Sequence, residues 1–289
     1  MVKTVMETIR FLVFSNFWVS FCITGVMWST YQLFARPIVY AELLFVFTGT
    51  LFLYSFQRLV RRSEKVSEPS DRHLWVTDRT FFLITQSVVS VIICSLCFFS
   101  FSLPTQVWLL SLAVISIFYV LPYRHAVLFG LRYVPCLKIF LISLVWTSLT
   151  LSLPLGFSLT GGEYAVWLSR FLFIVAITIP FDVRDMDNDR LQGVRTIATC
   201  LGCPGSQFLA VSLLTISGLI EIWVFQGQTH FSVGAYVLFL GLSAWILLKG
   251  NRSRDELYYS GLVEGILFLY VLANGLWPLW YRSFLGQSG

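Results

Sequence analysis

The sequence predicts an all-α, polytopic membrane protein, and three observations support this class. Of its 289 residues, 57% are hydrophobic and 12% are charged, whereas about 25% of the residues of a soluble globular domain are charged. Apolar stretches of about 20 residues, the length that crosses a bilayer as a helix, recur along the chain. Most basic residues fall in alternate connections between these stretches. Because a backbone in lipid must satisfy its own hydrogen bonds, we expect the stretches to be helices.

Nine apolar stretches are predicted to span the membrane, and proline or glycine residues interrupt the connections between them. The first stretch is too long for a signal peptide and no small-residue cleavage site follows it, so we expect it to be retained. The predicted spans are residues 11–33, 38–59, 80–100, 105–121, 135–156, 164–182, 207–226, 231–249 and 258–280. We expect them to form a single domain over residues 1–289.

The distribution of basic residues predicts the orientation of these spans. All but three of the 20 lysines and arginines fall on one side of the predicted layout, the exceptions being Arg36, Arg170 and Arg282. The positive-inside rule then makes the amino terminus cytoplasmic and places the carboxyl terminus on the opposite side. The net charge of +5 is explained by this orientation and by anionic ligands or lipid headgroups at the cytoplasmic face. A nucleic-acid partner is excluded because there is no soluble domain to bind it.

The end of the sixth predicted span carries the densest group of acidic residues. Asp182, Asp185, Asp187 and Asp189 fall close together in a chain that has only 15 acids. On a helix, Asp182, Asp185 and Asp189 share one face while Asp187 points away. Because each Asp at the centre of a membrane helix costs about 2.5–3.5 kcal/mol, we expect the group at the cytoplasmic mouth of a cavity. Three carboxylates on one face suit Mg²⁺, which takes oxygen ligands and substrate phosphates; the alternative is a solvated acidic loop.

The same region carries a resemblance to a known family. Residues 180–197, PFDVRDMDNDRLQGVRTI, resemble the second aspartate-rich motif of the UbiA superfamily of membrane prenyltransferases. Residues 118–124, FYVLPYR, resemble the Tyr- and Pro-containing stretch that ends span four in that family, and Lys138 opens span five, where a basic residue is usual. Residues 258–265, YYSGLVEG, resemble a Tyr–acid–Gly pattern near the end of these chains.

The resemblance implies a ring or horseshoe of nine helices around a polar pocket that faces the cytoplasm and opens sideways to lipid. It also implies a pseudo-repeat of two four-helix units, about residues 11–121 and 135–249, followed by a final helix at 258–280.

One part of the family pattern is missing. The first motif, Asn-Asp-x-x-Asp-x-x-x-Asp, belongs at the end of span two, where residues 54–62 read YSFQRLVRR and contain no acid. Glu64, Glu68 and Asp71 follow shortly and could be displaced metal ligands or part of a solvated loop. Alternatively, Arg58, Arg61 and Arg62 could pair directly with diphosphate oxygens and replace the charge of a metal ion, or they could only set the orientation.

The function implied by the resemblance is Mg²⁺-dependent transfer of a prenyl group from a polyprenyl diphosphate to a lipophilic acceptor, which includes an aromatic one, within the membrane. The implied catalytic residues are Asp182, Asp185, Asp189, Lys138 and Tyr119, of which the three acids would bind the metal. The implied substrate-binding residues are Arg58, Arg124, Arg195, Tyr123 and Glu264. Two alternatives stay open: a UbiA-type terpene cyclase acting on a prenyl diphosphate, and a non-enzymatic lipid-binding protein or transporter.

Overall fold

The computed structural model describes residues 2–61, 71–120, 137–191, 193–228, 231–251 and 254–276. All regular structure in these ranges is helical. The α-helices are α1 (Val2–Phe14), α2 (Phe17–Leu33), α3 (Tyr40–Arg61), α4 (Asp71–Asp78), α5 (Thr80–Phe99), α6 (Leu103–Val120), α7 (Leu137–Thr147), α8 (Leu153–Leu155), α9 (Gly161–Leu191), α10 (Ile197–Phe225), α11 (Val233–Lys249) and α12 (Glu264–Val271). π-helical turns join α7 to α8 (Ser148–Ser152), precede α12 (Tyr258–Val263) and follow it (Leu272–Leu276).

Fewer helices meet the requirements of a membrane span than the sequence predicts. Among the described residues, five helices are long and apolar enough, namely Tyr40–Val60, Thr80–Phe99, Leu137–Leu155, Gly161–Leu191 and Ile197–Phe225. A sixth results if α1 and α2, which meet at an angle of 65°, form one broken span, while α6 and α11 are apolar but shorter. The all-helical membrane class is therefore confirmed, and the count of nine spans is not confirmed over the described residues.

The first predicted span is broken at Asn16. This residue lies in the left-handed region at φ 68°, which asparagine adopts more readily than most residues. Its buried side-chain amide donates to the hydroxyl of Ser55 on α3 at 3.2 Å. The break therefore lies at a polar side chain that is fully buried inside the bundle.

The chain turns sharply after the acidic run, the group of Asp182, Asp185, Asp187 and Asp189. α9 continues to Leu191, so the run lies within the helix. Gly193 adopts φ +68°, a left-handed conformation that favours glycine at the end of a helix. Thr196 and Thr199 then form a capping box that starts α10, satisfying backbone donors that the helix leaves free. The Gly and Thr of the predicted motif thus define a turn between two helices.

The helices contact one another in a circuit. α9 packs against α7 and α10, α10 against α11, and α11 against α12. α12 returns to α2, which packs against α3, while α3 packs against α5 and α6 against α7. The short connection 100–102 between α5 and α6 completes the circuit. Large apolar side chains such as Phe81, Phe208 and Trp223 are mostly exposed on the outside of this circuit. Such a surface suits contact with lipid, as expected for an integral membrane protein.

Candidate functional site

A cavity of about 140 Å³ lies inside the circuit of helices. α3, α6, α7, α9 and α12 with its preceding π-helical turn line it. Its wall carries Arg58, Lys138, Arg184, Asp185 and Glu264 together with apolar and aromatic side chains. Lys138 and Trp146 both lie on α7 and line the cavity. Trp146 is about 12 Å further along the helix axis than Lys138. The cavity is therefore charged at one end and apolar further along the helix axes.

Three arginines from different helices converge on one carboxylate at this charged end. Arg72 Nη1 lies 3.1 Å, Arg184 Nη1 3.3 Å and Arg58 Nη2 4.0 Å from Glu256 Oε1. Burial by itself would raise the pKa of Glu256, but the positive charges of Arg184, Arg72 and Arg58 outweigh burial and lower this pKa to about 2. Glu256 is therefore ionised at neutral pH and holds the three guanidinium groups together. We call these four residues the arginine cluster.

Arg72 was predicted only as an orientation marker. Its side chain is 3% exposed, and besides Glu256 it donates to Asn16 Oδ1 and Ser260 Oγ, both at 2.7 Å. These bonds fasten α4 onto the start of α2 and the π-helical turn before α12. Nothing in the sequence distinguishes Arg72 from its basic neighbours, because its partners are distant along the chain.

The acidic run has one exposed and three inward-facing members. Asp182 and Asp189 are buried, Asp185 is partly buried, and Asp187 is 66% exposed. This division matches the helical spacing, because Asp187 is the one residue that lies off the shared face. Of the four, Asp185 lines the cavity.

Three acids of the run are paired with basic side chains: Asp187 with Arg190 at 3.9 Å on the exposed side of the helix, and Asp182 and Asp185 on the inward-facing side. Lys138 Nζ donates to Asp182 Oδ1 at 3.4 Å. Arg184 donates from Nε to Asp185 Oδ1 at 2.8 Å and from Nη2 to Asp185 Oδ2 at 3.2 Å. The planar guanidinium group of Arg184, whose N–H groups form a fork, thus contacts both oxygens of Asp185, the acid of the run that reaches the cavity wall.

The three predicted metal ligands do not converge on a point, and here the sequence-based prediction needs correction. Among the described residues, no three Asp, Glu, His or Cys side chains are arranged to hold a metal ion. The reason is geometric, since Asp182 and Asp189 are seven residues apart and so about 10 Å apart along the helix axis. A shared face arranges carboxylates in a row, whereas an ion needs them around a centre. The acids described here therefore do not fit a magnesium site made of these three side chains.

The other predicted site residues are divided between the cavity and the surface. Glu264 lines the cavity and is 8% exposed. Arg195 is exposed and does not contribute to the cavity wall. Tyr119 lies in the last turn of α6, but its side chain, and Tyr123 and Arg124 entirely, fall outside the described residues.

The residues predicted as substitutes for the first motif can be placed only in part. Asp71 pairs with Arg10 at 3.6 Å, and its side chain is 71% exposed, so it is a surface residue of α4. Glu64, Glu68, Arg62 and the side chain of Arg61 fall outside the described residues.

Aromatic rings form part of the cavity wall. Tyr54 and Trp146 lie with their ring centroids 6.2 Å apart, and the guanidinium of Arg184 lies 5.2 Å from the ring centroid of Phe181. All four side chains line the cavity. The electron-rich faces of such rings stabilise positive charge, and Tyr54, Trp146 and Phe181 are specific residues that sequence analysis could not choose among the many aromatics.

A second buried polar network lies away from the cavity. Arg170 and Glu221 are both 0% exposed, and the hydroxyl of Tyr270 connects them, accepting from Arg170 Nη2 at 2.7 Å and donating to Glu221 Oε1 at 2.9 Å. Arg170 also donates to Thr30 and to the carbonyl of Thr150. This network joins α2, α9, α10 and α12 and was not predicted, because its hydrogen-bonded partners are 20 to 140 residues apart along the chain.

Comparison with solved structures identifies the fold. A UbiA homologue from Archaeoglobus fulgidus bound to DMAPP and Mg²⁺ is 13% identical, with a TM-score of 0.61, covering 95% of this chain and 99% of that one. The same homologue bound to GPP and Mg²⁺ is 12% identical, with a TM-score of 0.60 and the same coverage. A digeranylgeranylglyceryl phosphate synthase structure is 14% identical, with a TM-score of 0.55, covering 96% of this chain and 99% of that one. No protein-family model and no curated protein sequence matches the chain. The chain therefore has the fold of the UbiA homologues over almost its whole length.

Proposed function

We propose that this protein is a membrane prenyltransferase of the UbiA superfamily, which transfers a prenyl group from a prenyl diphosphate to a lipophilic acceptor within the bilayer. The observation that carries this proposal is the two-part cavity, with Arg58, Lys138 and Arg184 at one end and Trp146, Ile142 and Leu267 in the rest of its wall. A prenyl diphosphate has the same two parts, an anionic head and a hydrocarbon tail. The same fold in A. fulgidus binds DMAPP and GPP, which supports this class of ligand.

The apolar wall would supply much of the binding free energy. Each CH₂ of the tail that leaves water contributes about 0.8 kcal/mol, so an isoprenoid chain binds through its length while the charged end sets its register. The terminal diphosphate oxygens would lie against the guanidinium groups of Arg58 and Arg184 and the ammonium of Lys138.

The chemical step breaks the bond between the allylic carbon and the bridging oxygen, and the electron pair leaves with the diphosphate. The growing negative charge on the leaving group is stabilised by the cations of the cavity wall. The allylic cation that remains is stabilised by the faces of Tyr54, Trp146 and Phe181, while the apolar wall excludes water. Glu264 lines the same cavity and is the candidate to orient a hydroxyl of the acceptor. The nucleophilic atom of the acceptor, an oxygen or an aromatic carbon, bonds to the allylic carbon, and the proton that the acceptor loses passes to the released diphosphate.

Magnesium accompanies the diphosphate in the A. fulgidus structures. In this chain the predicted ligands Asp182, Asp185 and Asp189 do not form a common site, so no step of the proposed reaction is assigned to an ion. The dependence of turnover on magnesium, which the family resemblance implies, is a separate part of the proposal, and turnover assayed with and without Mg²⁺ tests it.

The test uses purified full-length protein in lipid nanodiscs with radiolabelled geranyl diphosphate, with and without Mg²⁺ and with and without an extract of native membrane lipids. We expect label to move into a new lipid product and diphosphate to be released only when the extract is present. Ile142→Trp, which fills the cavity, should abolish the product. Phe140→Trp is the matched control, because Phe140 is on the same helix but 45% exposed on the outer surface.

Two results would contradict transfer. Diphosphate release without any extract would indicate cyclisation of the prenyl chain. No release under any condition, from protein that melts cooperatively, would favour a non-enzymatic lipid-binding protein or transporter.

A further inference from the structure

We propose that the diphosphate is bound mainly by the guanidinium groups of Arg58 and Arg184, which Glu256 and Arg72 hold in place, and that this binding does not need magnesium. The inference rests on the proposed function, since it concerns the head group of the same substrate class. It differs in that it concerns binding of the donor and not its turnover.

The geometry of the arginine cluster separates two roles. Arg58 and Arg184 line the cavity, whereas Arg72 and Glu256 do not. Glu256 Oε1 contacts all three guanidinium groups within 4.0 Å, and Arg72 is held by Asn16 and Ser260. Arg72 and Glu256 are therefore positioning residues that keep two guanidinium groups fixed at the charged end of the cavity.

The position of Arg58 supports a replacement of metal charge. It lies in the last turns of α3, the part of the fold where the family pattern calls for acids and this sequence has none. Carboxylates there would attract an ion, which in turn would attract phosphate. A guanidinium group binds phosphate directly, without an ion between them, because its planar fork matches two phosphate oxygens.

Asp185 distinguishes binding of the diphosphate by arginine from binding by a metal ion. Both of its oxygens accept hydrogen bonds from Arg184, and a phosphate group offers the same two-oxygen arrangement with more negative charge. Diphosphate and Asp185 therefore compete for the fork of Arg184. If a metal held by Asp185 bound the diphosphate, removing the charge of Asp185 would weaken binding. If the arginines bind it, the same change strengthens binding or leaves it unaltered.

The experiment measures binding of geranyl S-thiolodiphosphate, an unreactive donor analogue, to full-length protein in nanodiscs by calorimetry, once in EDTA and once in MgCl₂. We expect dissociation constants in the two buffers within about threefold of each other, because the affinity comes from guanidinium groups. Arg58→Gln should raise the dissociation constant in EDTA by about ten- to hundredfold, the range for losing hydrogen bonds between charged groups. Asp185→Asn should lower it or leave it unchanged.

Controls keep the result interpretable. Arg58→Lys retains the charge without the fork and should weaken binding less than Arg58→Gln. Arg254→Gln removes an exposed arginine outside the cavity wall and should have no effect. Each variant is melted in parallel, so that a loss of binding is counted only for folded protein.

The inference and the proposed function fail in different ways. Binding that appears only in MgCl₂, or that Asp185→Asn abolishes while Arg58→Gln does not change it, overturns the inference and leaves prenyl transfer standing. Metal-free binding without any transferase activity supports the inference and removes the transferase assignment. Absence of binding in both buffers overturns both.

Discussion

Replacing Tyr270 by phenylalanine tests whether the buried Arg170–Glu221 network stabilises the bundle. The substitution removes one oxygen and keeps the ring, which packs against Phe173 with centroids 5.2 Å apart. That oxygen accepts from Arg170 and donates to Glu221. The change therefore separates two buried charged groups without opening a large cavity.

The size of the effect follows from the bonds that are lost and those that remain. A hydrogen bond to a charged group contributes about 1.5–3 kcal/mol, and Tyr270 makes one to each charged partner. Arg170 keeps its bonds to Thr30 and Thr150, and Glu221 keeps its bond from Ser169. We therefore expect a loss near the lower end of the sum, about 3 kcal/mol.

Thermal unfolding of purified protein in detergent micelles measures this loss. For a domain of this size, 1 kcal/mol corresponds to roughly 2–4 °C, so Tyr270→Phe should lower the melting temperature by roughly 6–12 °C. Tyr164→Phe is the control, because Tyr164 is 59% exposed on the same bundle and should leave the melting temperature unchanged. Glu221→Gln should also destabilise, and combining it with Tyr270→Phe should cost less than the sum, since both act on one network. A shift for Tyr270→Phe no larger than that of the control, or strict additivity, would refute this reasoning.

Two further predictions concern the charged end and the turn after α9. The pKa of Glu256 is lowered to about 2 from 4.5, so its stabilising contribution is complete above pH 4.5 and is lost as the pH falls towards 2. In melting curves at neutral pH, the Glu256→Gln variant should therefore be less stable than the unchanged protein by about 3 kcal/mol. This difference in stability should become smaller as the pH falls below 4.5. A difference that does not change with pH would contradict the role of the arginines. Gly193→Ala should cost about 1 kcal/mol, because Gly193 lies at φ +68° with open space around it, whereas Gly162→Ala, which has open space and no positive φ, should not destabilise.

Parts of the site were predictable because they depend on local spacing. The division of the acidic run into inward-facing Asp182, Asp185 and Asp189 and exposed Asp187 follows from 3.6 residues per turn. The failure of the three to converge also follows from helix geometry, but only once the rise along the axis is considered with the rotation around it. Spacing along one helix says which side chains share a direction and does not say which other helices face them.

The buried networks could not have been predicted. Arg72 and Glu256 are 184 residues apart, and Arg170 and Tyr270 are 100 residues apart. As single residues they look the same as charges that mark orientation or reach the membrane surface. The break at Asn16 was also hidden, because the hydrophobicity of a segment does not report the left-handed conformation of one residue.

The amino-acid sequence by itself determined that this protein is a helical membrane protein with an acidic helix end, because lipid imposes its demands on each segment separately. The length of a segment, its apolar composition and the lack of water to bind its backbone make it a membrane helix, whichever residues it later contacts. The tertiary structure alone decided which charges meet, and it brought three arginines to Glu256 and paired Asp182 and Asp185 with basic side chains. Charge pairing acts over a few ångströms, and such distances between helices exist only after the bundle has assembled.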